Sequence, residues 1–170
     1  MHLIISTSLN PNSRSGILAQ HALTDFKDKS MAAEIIDLRD YDLPFCDGDT
    51  CNKDAVVKEL KEKITNSKSI ILASPIYNYD VNAVAKNLLE LTGSAWTEKV
   101  VGFMCSAGGK GSYMSVMPFA NSLMLDFRCH IIPRYVYVTG DAFDGLLIAN
   151  EEVISRIEEL VDSIISWSSS

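Results

Sequence analysis

Residues 69–74 read Ser-Ile-Ile-Leu-Ala-Ser, and residues 75–78 continue as Pro-Ile-Tyr-Asn. The first segment has strand length and lacks the polar alternation of a half-exposed strand, so it predicts a strand buried on both faces. Similar apolar runs lie at His2–Ser6, Ala33–Leu38, Val100–Cys105 and His130–Val138. Because a strand buried on both faces needs helices on both sides, residues 69–74 predict the centre of a parallel sheet.

Amphipathic segments separate these runs. Apolar residues recur at helical spacing within residues 17–26, 56–64, 84–91 and 153–165. A further helix is predicted from Met117 to Phe127, because Pro118 is tolerated in a first turn but not in a helix interior. Asn150 is the predicted N-cap of the last helix. Five strands alternating with five helices predict an α/β doubly wound, three-layer sandwich that forms one domain over residues 1–170.

Composition excludes several classes of protein. The 170 residues carry 15 Lys and Arg against 22 Asp and Glu, a net charge of −7, and 47% of them are hydrophobic. This acidic balance argues against a nucleic-acid partner, which needs clustered cations. No apolar stretch reaches the roughly 20 residues that span a bilayer, and the apolar start is too short for a signal-peptide core. We therefore expect a cytoplasmic protein with no membrane association.

The four cysteines, Cys46, Cys51, Cys105 and Cys129, form no C-x-x-C pair. Reduced thiols are the expected state in a chain of this size and class. Cys46 and Cys51 lie close together in a polar loop, which leaves room for a metal or redox role. No other metal site is predicted.

The loop after the first strand, residues 6–16, is rich in hydroxyl groups and contains Arg14. Hydroxyl donors, one cation and the unpaired N–H groups of the following helix form the outline of a phosphate cradle. The same residues also fit a solvated turn in which Asn10-Pro11 and Ser13 only initiate the turn and cap the helix. Neither G-x-G-x-x-G nor the P-loop pattern is present.

Two further loops carry chemistry at the carboxyl ends of strands, where doubly wound sheets bind ligands. Residues 74–82 place Tyr77 and Tyr79 beside Asn78, which suits a planar heterocycle with mixed edge groups, although a surface turn with incidental tyrosines has the same composition. Residues 106–112 contain three glycines. Their backbone either approaches a ligand closely or turns sharply.

Taken in order, these motifs resemble the NAD(P)H-dependent FMN reductase family. They are Ser8-x-x-x-x-Ser13-x-Ser15, Pro75-x-Tyr77-Asn78, Lys86-Asn87 and Ser106-Ala107-Gly108-Gly109, and the match extends over roughly residues 1–145. Asn10 stands where many members carry Arg, and Ile76 stands where many carry Glu. The resemblance implies a flavodoxin-like fold with a five-stranded parallel sheet of order 2-1-3-4-5.

The resemblance also implies the site and the activity. Ser8, Asn10, Ser13, Arg14 and Ser15 would hold the FMN phosphate. The isoalloxazine ring would lie against Pro75, Ile76, Tyr77, Asn78, Ser106, Ala107, Gly108 and Gly109. The expected reaction is ping-pong hydride transfer from NADPH or NADH through FMN to a small acceptor such as a quinone, an azo compound or free flavin. No side chain need be catalytic, and the assembly implied is a homodimer or a dimer of dimers.

Alternative functions remain open. A flavodoxin-type electron carrier would bind FMN without oxidising nicotinamide, and a structural or regulatory protein would keep the fold without the cofactor. Other chemistries are disfavoured: a cysteine phosphatase loop after Cys105 would need Arg where Gly111 stands, and the hydrolase pattern G-x-S-x-G is absent. His2, His21 and His130 are expected to be structural or solvated.

Overall fold

A parallel sheet covered by helices on both faces forms the body of the protein in this computed structural model, which describes residues 1–169. Ser170, the last residue of the predicted domain, lies outside the described residues. The strands are β1 (His2–Ser6), β2 (Ala33–Asp37), β3 (Ser69–Tyr77), β4 (Asp80–Val81), β5 (Val100–Ser106), β6 (His130–Ile131), β7 (Val136–Val138), β8 (Phe143–Asp144) and β9 (Leu147–Ile148). The helices are α1 (Arg14–Asp28), α2 (Ala55–Asn66), α3 (Ala83–Thr92), α4 (Met117–Phe127) and α5 (Glu151–Trp167).

The main sheet has the strand order β2-β1-β3-β5-β6, with every pair parallel. β7 also pairs with β5 in parallel, and the short β4 pairs antiparallel with β3. The predicted order of the five apolar runs is confirmed. The predicted number of strands is wrong, because the sheet has seven.

The fifth run is one of the two sources of the extra strands. It is divided into β6 and β7 rather than continuous over His130–Val138. Pro133 has no N–H to donate to a sheet, and Arg134 has a positive φ of 58°. The chain therefore leaves β5 after Ile131 and rejoins it at Val136. The other source is β4, which forms because the chain turns back directly after β3.

The register brings three loops to one edge of the sheet. Ser6 at the end of β1 is level with Ala73 in β3, and Pro75 near the end of β3 is level with Ser106 at the end of β5. The loops that follow β1, β3 and β5 therefore leave the sheet side by side. They are the loops for which the sequence predicts chemistry.

Alternate residues of the central strands fill two cores. Leu3 and Leu72 pack with Phe103 under α2, α3 and α4, whereas Ile4 and Ile71 pack under α1 and α5. This arrangement confirms the three-layer sandwich. No helix within residues 1–169 combines the length and the apolar character needed to cross a membrane.

Side-chain caps fix the starts of the helices. Ser13, Asp54, Asn82 and Asn150 accept hydrogen bonds from backbone N–H groups in the first turns of α1, α2, α3 and α5. Such caps each contribute about 1 kcal/mol. The predicted cap at Asn150 and the predicted bounds of α4 are confirmed.

Candidate cofactor site

A cavity of about 830 Å³ opens where the three loops meet. Its volume lies within the range typical of small-molecule and cofactor sites. The lining brings together every predicted site residue except Gly109, and adds Asn12. The lining residues are Ser8, Asn10, Asn12, Ser13, Arg14, Ser15, Pro75, Ile76, Tyr77, Asn78, Ser106, Ala107 and Gly108.

The hydroxyl-rich end of the cavity lies at the start of α1. Ser13 is extended, and its Oγ accepts a hydrogen bond from the N–H of Gly16 at 3.0 Å. The Oγ atoms of Ser13 and Ser15 are 3.0 Å apart, and Ser8 is buried with its Oγ accepting from the N–H of Asn10. The serines are thus held in place beside the positive end of a helix, an arrangement that binds anions.

Asn12 also lines the cavity, although no sequence motif predicted it. Its backbone N–H donates to the Oδ1 of Asn10 at 2.9 Å, so Asn10-Pro11-Asn12 forms a side-chain-stabilised turn. The Asn-Pro pair predicted this turn. What it did not predict was that the exposed side chain of Asn12 would face the same cavity as the serines.

Arg14 supplies the only charge among the lining residues. Its guanidinium carbon lies 5.9 Å from the centre of the Phe143 ring, a cation–π contact. A Cβ atom added at Gly140 would lie 2.7 Å from Nη1 of Arg14, so a side chain at residue 140 would move the guanidinium from this position. No carboxylate lines the cavity or forms an ion pair with Arg14 within residues 1–169.

The second wall of the cavity is the hairpin between β3 and β4. Tyr77 pairs with Asp80, and the two residues between them, Asn78 and Tyr79, have positive φ values of 51° and 64°. Two successive residues of this kind form the tight turn that joins antiparallel strands. Tyrosine is an unusual residue at such a position. The turn leaves Tyr77 and Tyr79 exposed, with Asn78 in the cavity wall.

The third wall is the glycine-rich loop after β5. The N–H of Ala107 donates to the carbonyl of Val138 at 2.9 Å, and the hydroxyl of Tyr137 donates to the carbonyl of Gly109. A Cβ atom added at Gly108 or Gly109 would have no other atom within 4 Å. A side chain at either position would therefore point into open space. Gly109 supports the loop through its carbonyl and is not part of the lining.

Asn82 connects the first two walls and was predicted by no motif. The hydroxyl of Thr7 donates to its Oδ1 at 2.7 Å, and its Nδ2 donates to the carbonyl of Thr7 at 2.7 Å. The hydroxyl of Ser74 donates to the same Oδ1 at 3.2 Å. Thr7 directly precedes Ser8, and Ser74 directly precedes Pro75. This buried amide therefore fixes the serine-rich loop against the aromatic hairpin.

The lining offers binding groups and no acid–base pair, since it contains no His, Asp, Glu, Lys or Cys. Cys105 lies in β5 close to the cavity, but burial raises the pKa of its thiol to about 12. His2 is a structural residue, stacked on Phe26 and hydrogen bonded to Ser69. The site can therefore bind and orient a reactive molecule, and the serine hydroxyls of its lining have no carboxylate, imidazole or amine beside them in that lining to activate them.

These features define a class: a doubly wound protein whose cavity at the carboxyl edge of the sheet offers groups suited to an anionic, partly planar ligand. Comparison with known proteins gives the family. The family described as NADPH-dependent FMN reductase matches residues 2–144. The chain belongs to this family, and the resemblance inferred from its motifs is confirmed.

Among curated relatives, the FMN-dependent NADPH-azoreductase of Staphylococcus aureus (strain USA300) is 34% identical over 113 residues. That alignment covers 63% of this chain and 60% of the azoreductase. Among solved structures, the flavoenzyme NAD(P)H:(acceptor) oxidoreductase FerB from Paracoccus denitrificans superposes with a TM-score of 0.80 at 19% identity, covering 99% of this chain and 96% of that one. A flavodoxin from the domain Archaea gives a TM-score of 0.66 at 13% identity, covering 99% of each chain. The flavodoxin-like fold is confirmed.

Proposed function

We propose that the protein is an FMN-dependent NAD(P)H oxidoreductase that reduces a small acceptor such as a quinone, an azo compound or free flavin. The cavity is the observation that best supports this proposal. One end, at a helix N-terminus, is rich in hydroxyl groups and contains a single cation. The other end is lined by aromatic residues and glycine. Family membership and the names of the azoreductase relative and the oxidoreductase neighbour support the same chemistry.

The residues fit FMN. A phosphate monoester suits the Ser8, Ser13 and Ser15 end, where hydroxyls, helix N–H groups and Arg14 converge and no carboxylate opposes it. A flat ring suits the slot between the 75–78 segment and the backbone at Gly108, where added Cβ atoms would meet only open space. Asn10, despite replacing the Arg of many relatives, keeps the turn in shape through its bond to Asn12. Arg14 supplies the cation instead.

FMN held in this cavity would supply hydride chemistry between NADPH or NADH and the acceptor, with ping-pong turnover expected. The chain's own residues bind and orient. Asn78 offers both a donor and an acceptor to the edge of a heterocycle. Gly108 lines the cavity, and its backbone amide would stabilise negative charge that develops on a ring beside it. The exposed ring of Tyr77 offers a stacking face to a planar donor or acceptor.

We also propose a homodimer or a dimer of dimers. Met114 and Met117 follow the glycine-rich loop and remain exposed, whereas Phe119 belongs to the core. Exposed methionines suit an adaptable subunit contact. Sedimentation of the purified protein measures the assembly. A cytoplasmic location stays a prediction.

The test of function begins with the visible spectrum of protein purified without added cofactor, followed by anaerobic bleaching with NADH and with NADPH. We expect a flavin spectrum, or full reconstitution by FMN, and bleaching by at least one nicotinamide. Protein that neither carries nor accepts FMN would overturn the proposal and favour a role without cofactor.

A second candidate is an electron carrier of the flavodoxin type, which the flavodoxin neighbour and the acidic net charge favour. Steady-state consumption of NAD(P)H with a small quinone separates the two functions. A carrier would bind FMN and show negligible turnover. We expect sustained turnover. Double-reciprocal plots of initial rate against NAD(P)H concentration should give parallel lines at different quinone concentrations.

A further inference from the structure

A pair of cysteines lies away from the cavity, in the segment between β2 and α2. The Sγ atoms of Cys46 and Cys51 are 3.8 Å apart. Neither residue lines the cavity, and the proposed function uses neither. The two thiols are separated by only four residues, so the chain between them forms a small loop.

Hydrogen bonds hold this loop in the shape that brings the sulfurs together. The Asp47 carboxylate accepts the N–H of Asp49 at 2.9 Å, the N–H of Cys51 at 3.0 Å and the hydroxyl of Thr50. These bonds hold the pKa of Asp47 well below its usual range, so the carboxylate stays charged at neutral pH and can accept all three bonds. The proximity of the sulfurs is therefore built into the loop.

The start of the loop is fixed to the body of the protein. Asn87 in α3 accepts the N–H of Cys46 at 3.0 Å and donates its Nδ2 to the carbonyl of Pro44 at 2.9 Å. Cys51 is buried against Val57 and Leu91. Cys46, by contrast, is partly exposed. The pair thus combines one thiol that reagents can reach with one that they cannot reach directly.

A metal site does not fit this pair. Within residues 1–169 there is no group of three or more His, Cys, Asp or Glu side chains arranged to hold a metal ion. A structural zinc site needs four ligands. Two adjacent thiols without further ligands are instead suited to forming a disulfide.

We propose that Cys46 and Cys51 form a redox modification site, at which a hydroperoxide converts the two thiols into a disulfide within the loop. The Cys46 sulfur attacks one peroxide oxygen, so that an S–O bond forms and the O–O bond breaks, and the hydroxide that leaves takes up the Cys46 proton to become water. The Cys51 sulfur then attacks the oxidised sulfur, the S–S bond forms, the S–O bond breaks, and the Cys51 proton leaves with hydroxide as water. In sum, two thiols lose two electrons and two protons, and hydrogen peroxide becomes two waters.

The geometry assigns the order of the two steps. Cys46 is the exposed sulfur, so it meets the peroxide first. The neighbouring Asp47 carboxylate raises the pKa of Cys51, which lowers the share of that thiol in the reactive thiolate form. The bond then requires the sulfurs to close from 3.8 Å to about 2.05 Å, a movement within reach of side-chain rotation in a surface loop.

Cys105 and Cys129 serve as internal controls in the same molecule. Both are buried, and burial raises the pKa of Cys105 to about 12 and that of Cys129 to about 11. Since the thiolate is the reactive form, both should resist peroxide. Trypsin separates them, because the cysteine pair lies in the peptide 40–53, Cys105 in 100–110 and Cys129 in 129–134.

The experiment treats the folded full-length protein with hydrogen peroxide, blocks free thiols by alkylation in denaturant, and maps the tryptic peptides by mass. We expect peptide 40–53 to lose two hydrogen atoms and to take up no alkylating reagent. This oxidation should be more than about tenfold faster than oxidation of the other two cysteine peptides. Reduction with dithiothreitol should restore both thiols. In Cys51→Ser, Cys46 should instead be trapped by dimedone as a sulfenic acid, and in Cys46→Ser the Cys51 thiol should stay reduced.

Three results would overturn the proposal: alkylation of both thiols in peptide 40–53 after peroxide treatment, oxidation no faster than at Cys105, or a Cys46 disulfide that joins two chains. Should either serine variant fail to fold, the wild-type peptide map still decides. The readout involves no flavin, so its result is independent of the proposed activity.

Discussion

Replacing Asn82 by Ala tests whether one buried amide holds the two halves of the site together. The substitution removes a helix cap, which costs about 1 kcal/mol. It also removes the Nδ2 donor from the buried carbonyl of Thr7, and an unsatisfied buried acceptor costs roughly 1–3 kcal/mol. The hydroxyls of Thr7 and Ser74 keep other acceptors, the carbonyls of Ala73 and Pro75. We therefore expect the free energy of unfolding to fall by about 3 kcal/mol.

Asn150→Ala is the matched control. Asn150 caps α5 through the same kind of bonds, to the N–H groups of Glu152 and Val153, but it is exposed and joins no second loop. It should cost about 1 kcal/mol. Urea unfolding of the flavin-free proteins measures both values. FMN titration should show weaker binding for Asn82→Ala alone, because only that substitution frees Thr7 and Ser74 from each other.

Equal losses of stability in the two variants would refute this reasoning, since Asn82 would then act only as a cap. Unchanged FMN affinity in a folded Asn82→Ala protein would separately refute its role in positioning the loops. The conservative variant Asn82→Asp keeps the cap acceptors and loses the donor to Thr7. At neutral pH its loss of stability combines the loss of that bond with the cost of burying a carboxylate oxygen against the Thr7 carbonyl.

Three further predictions address charge, shape and packing. Burial lowers the pKa of His2 to about 4, so the unfolded chain binds more protons than the folded protein between pH 6.5 and 4. The free energy of unfolding should therefore fall by roughly 2–3 kcal/mol as the pH decreases through this window. Urea unfolding measures this fall, and His2→Gln should lack the part that is due to His2. Gly140→Val should displace Arg14 and weaken binding of FMN but not of riboflavin, measured by fluorescence titration, with no further effect in an Arg14→Ala background; equal losses for both flavins would contradict it. Gly102→Ala should destabilise the protein by about 1–3 kcal/mol in urea unfolding, because the new Cβ would lie 2.8 Å from Cδ1 of Leu160, and unchanged stability would contradict that overpacking.

The parts of the fold that follow from local rules could be predicted from the sequence. Apolar runs and helical spacing predict the strands and helices, and the cap at Asn150 and the start of α4 follow from residue preferences in first turns. The prediction of an unbroken fifth strand was wrong. Because proline interrupts a strand, Pro133 already indicated a break within this run. Local spacing also gave no sign of the short β8–β9 hairpin, which turns at Gly145 with a φ of 59°.

The site was predictable where it depends on loops at the ends of strands and not where it depends on partners distant in the chain. An Asn before a helix predicts a cap, whereas its bonds to Thr7 join residues 75 positions apart. In the same way, the position of the Arg14 guanidinium depends on Gly140 and Phe143, which follow Arg14 by more than a hundred positions in the chain. Only the packing of the β7–β8 segment against α1 brings them together.

The charge distribution explains how an acidic protein can offer a site to an anion. The net charge is −7, so the overall field of the protein repels a phosphate. The cavity lining offsets this locally, because it excludes carboxylates and gathers hydroxyls, helix N–H groups and one guanidinium. Short-range hydrogen bonds then carry the selectivity. Binding of a phosphorylated flavin should therefore depend only weakly on salt, in contrast to a site that relies on clustered cations. A steep loss of FMN affinity between low and high salt would show instead that long-range attraction to Arg14 dominates.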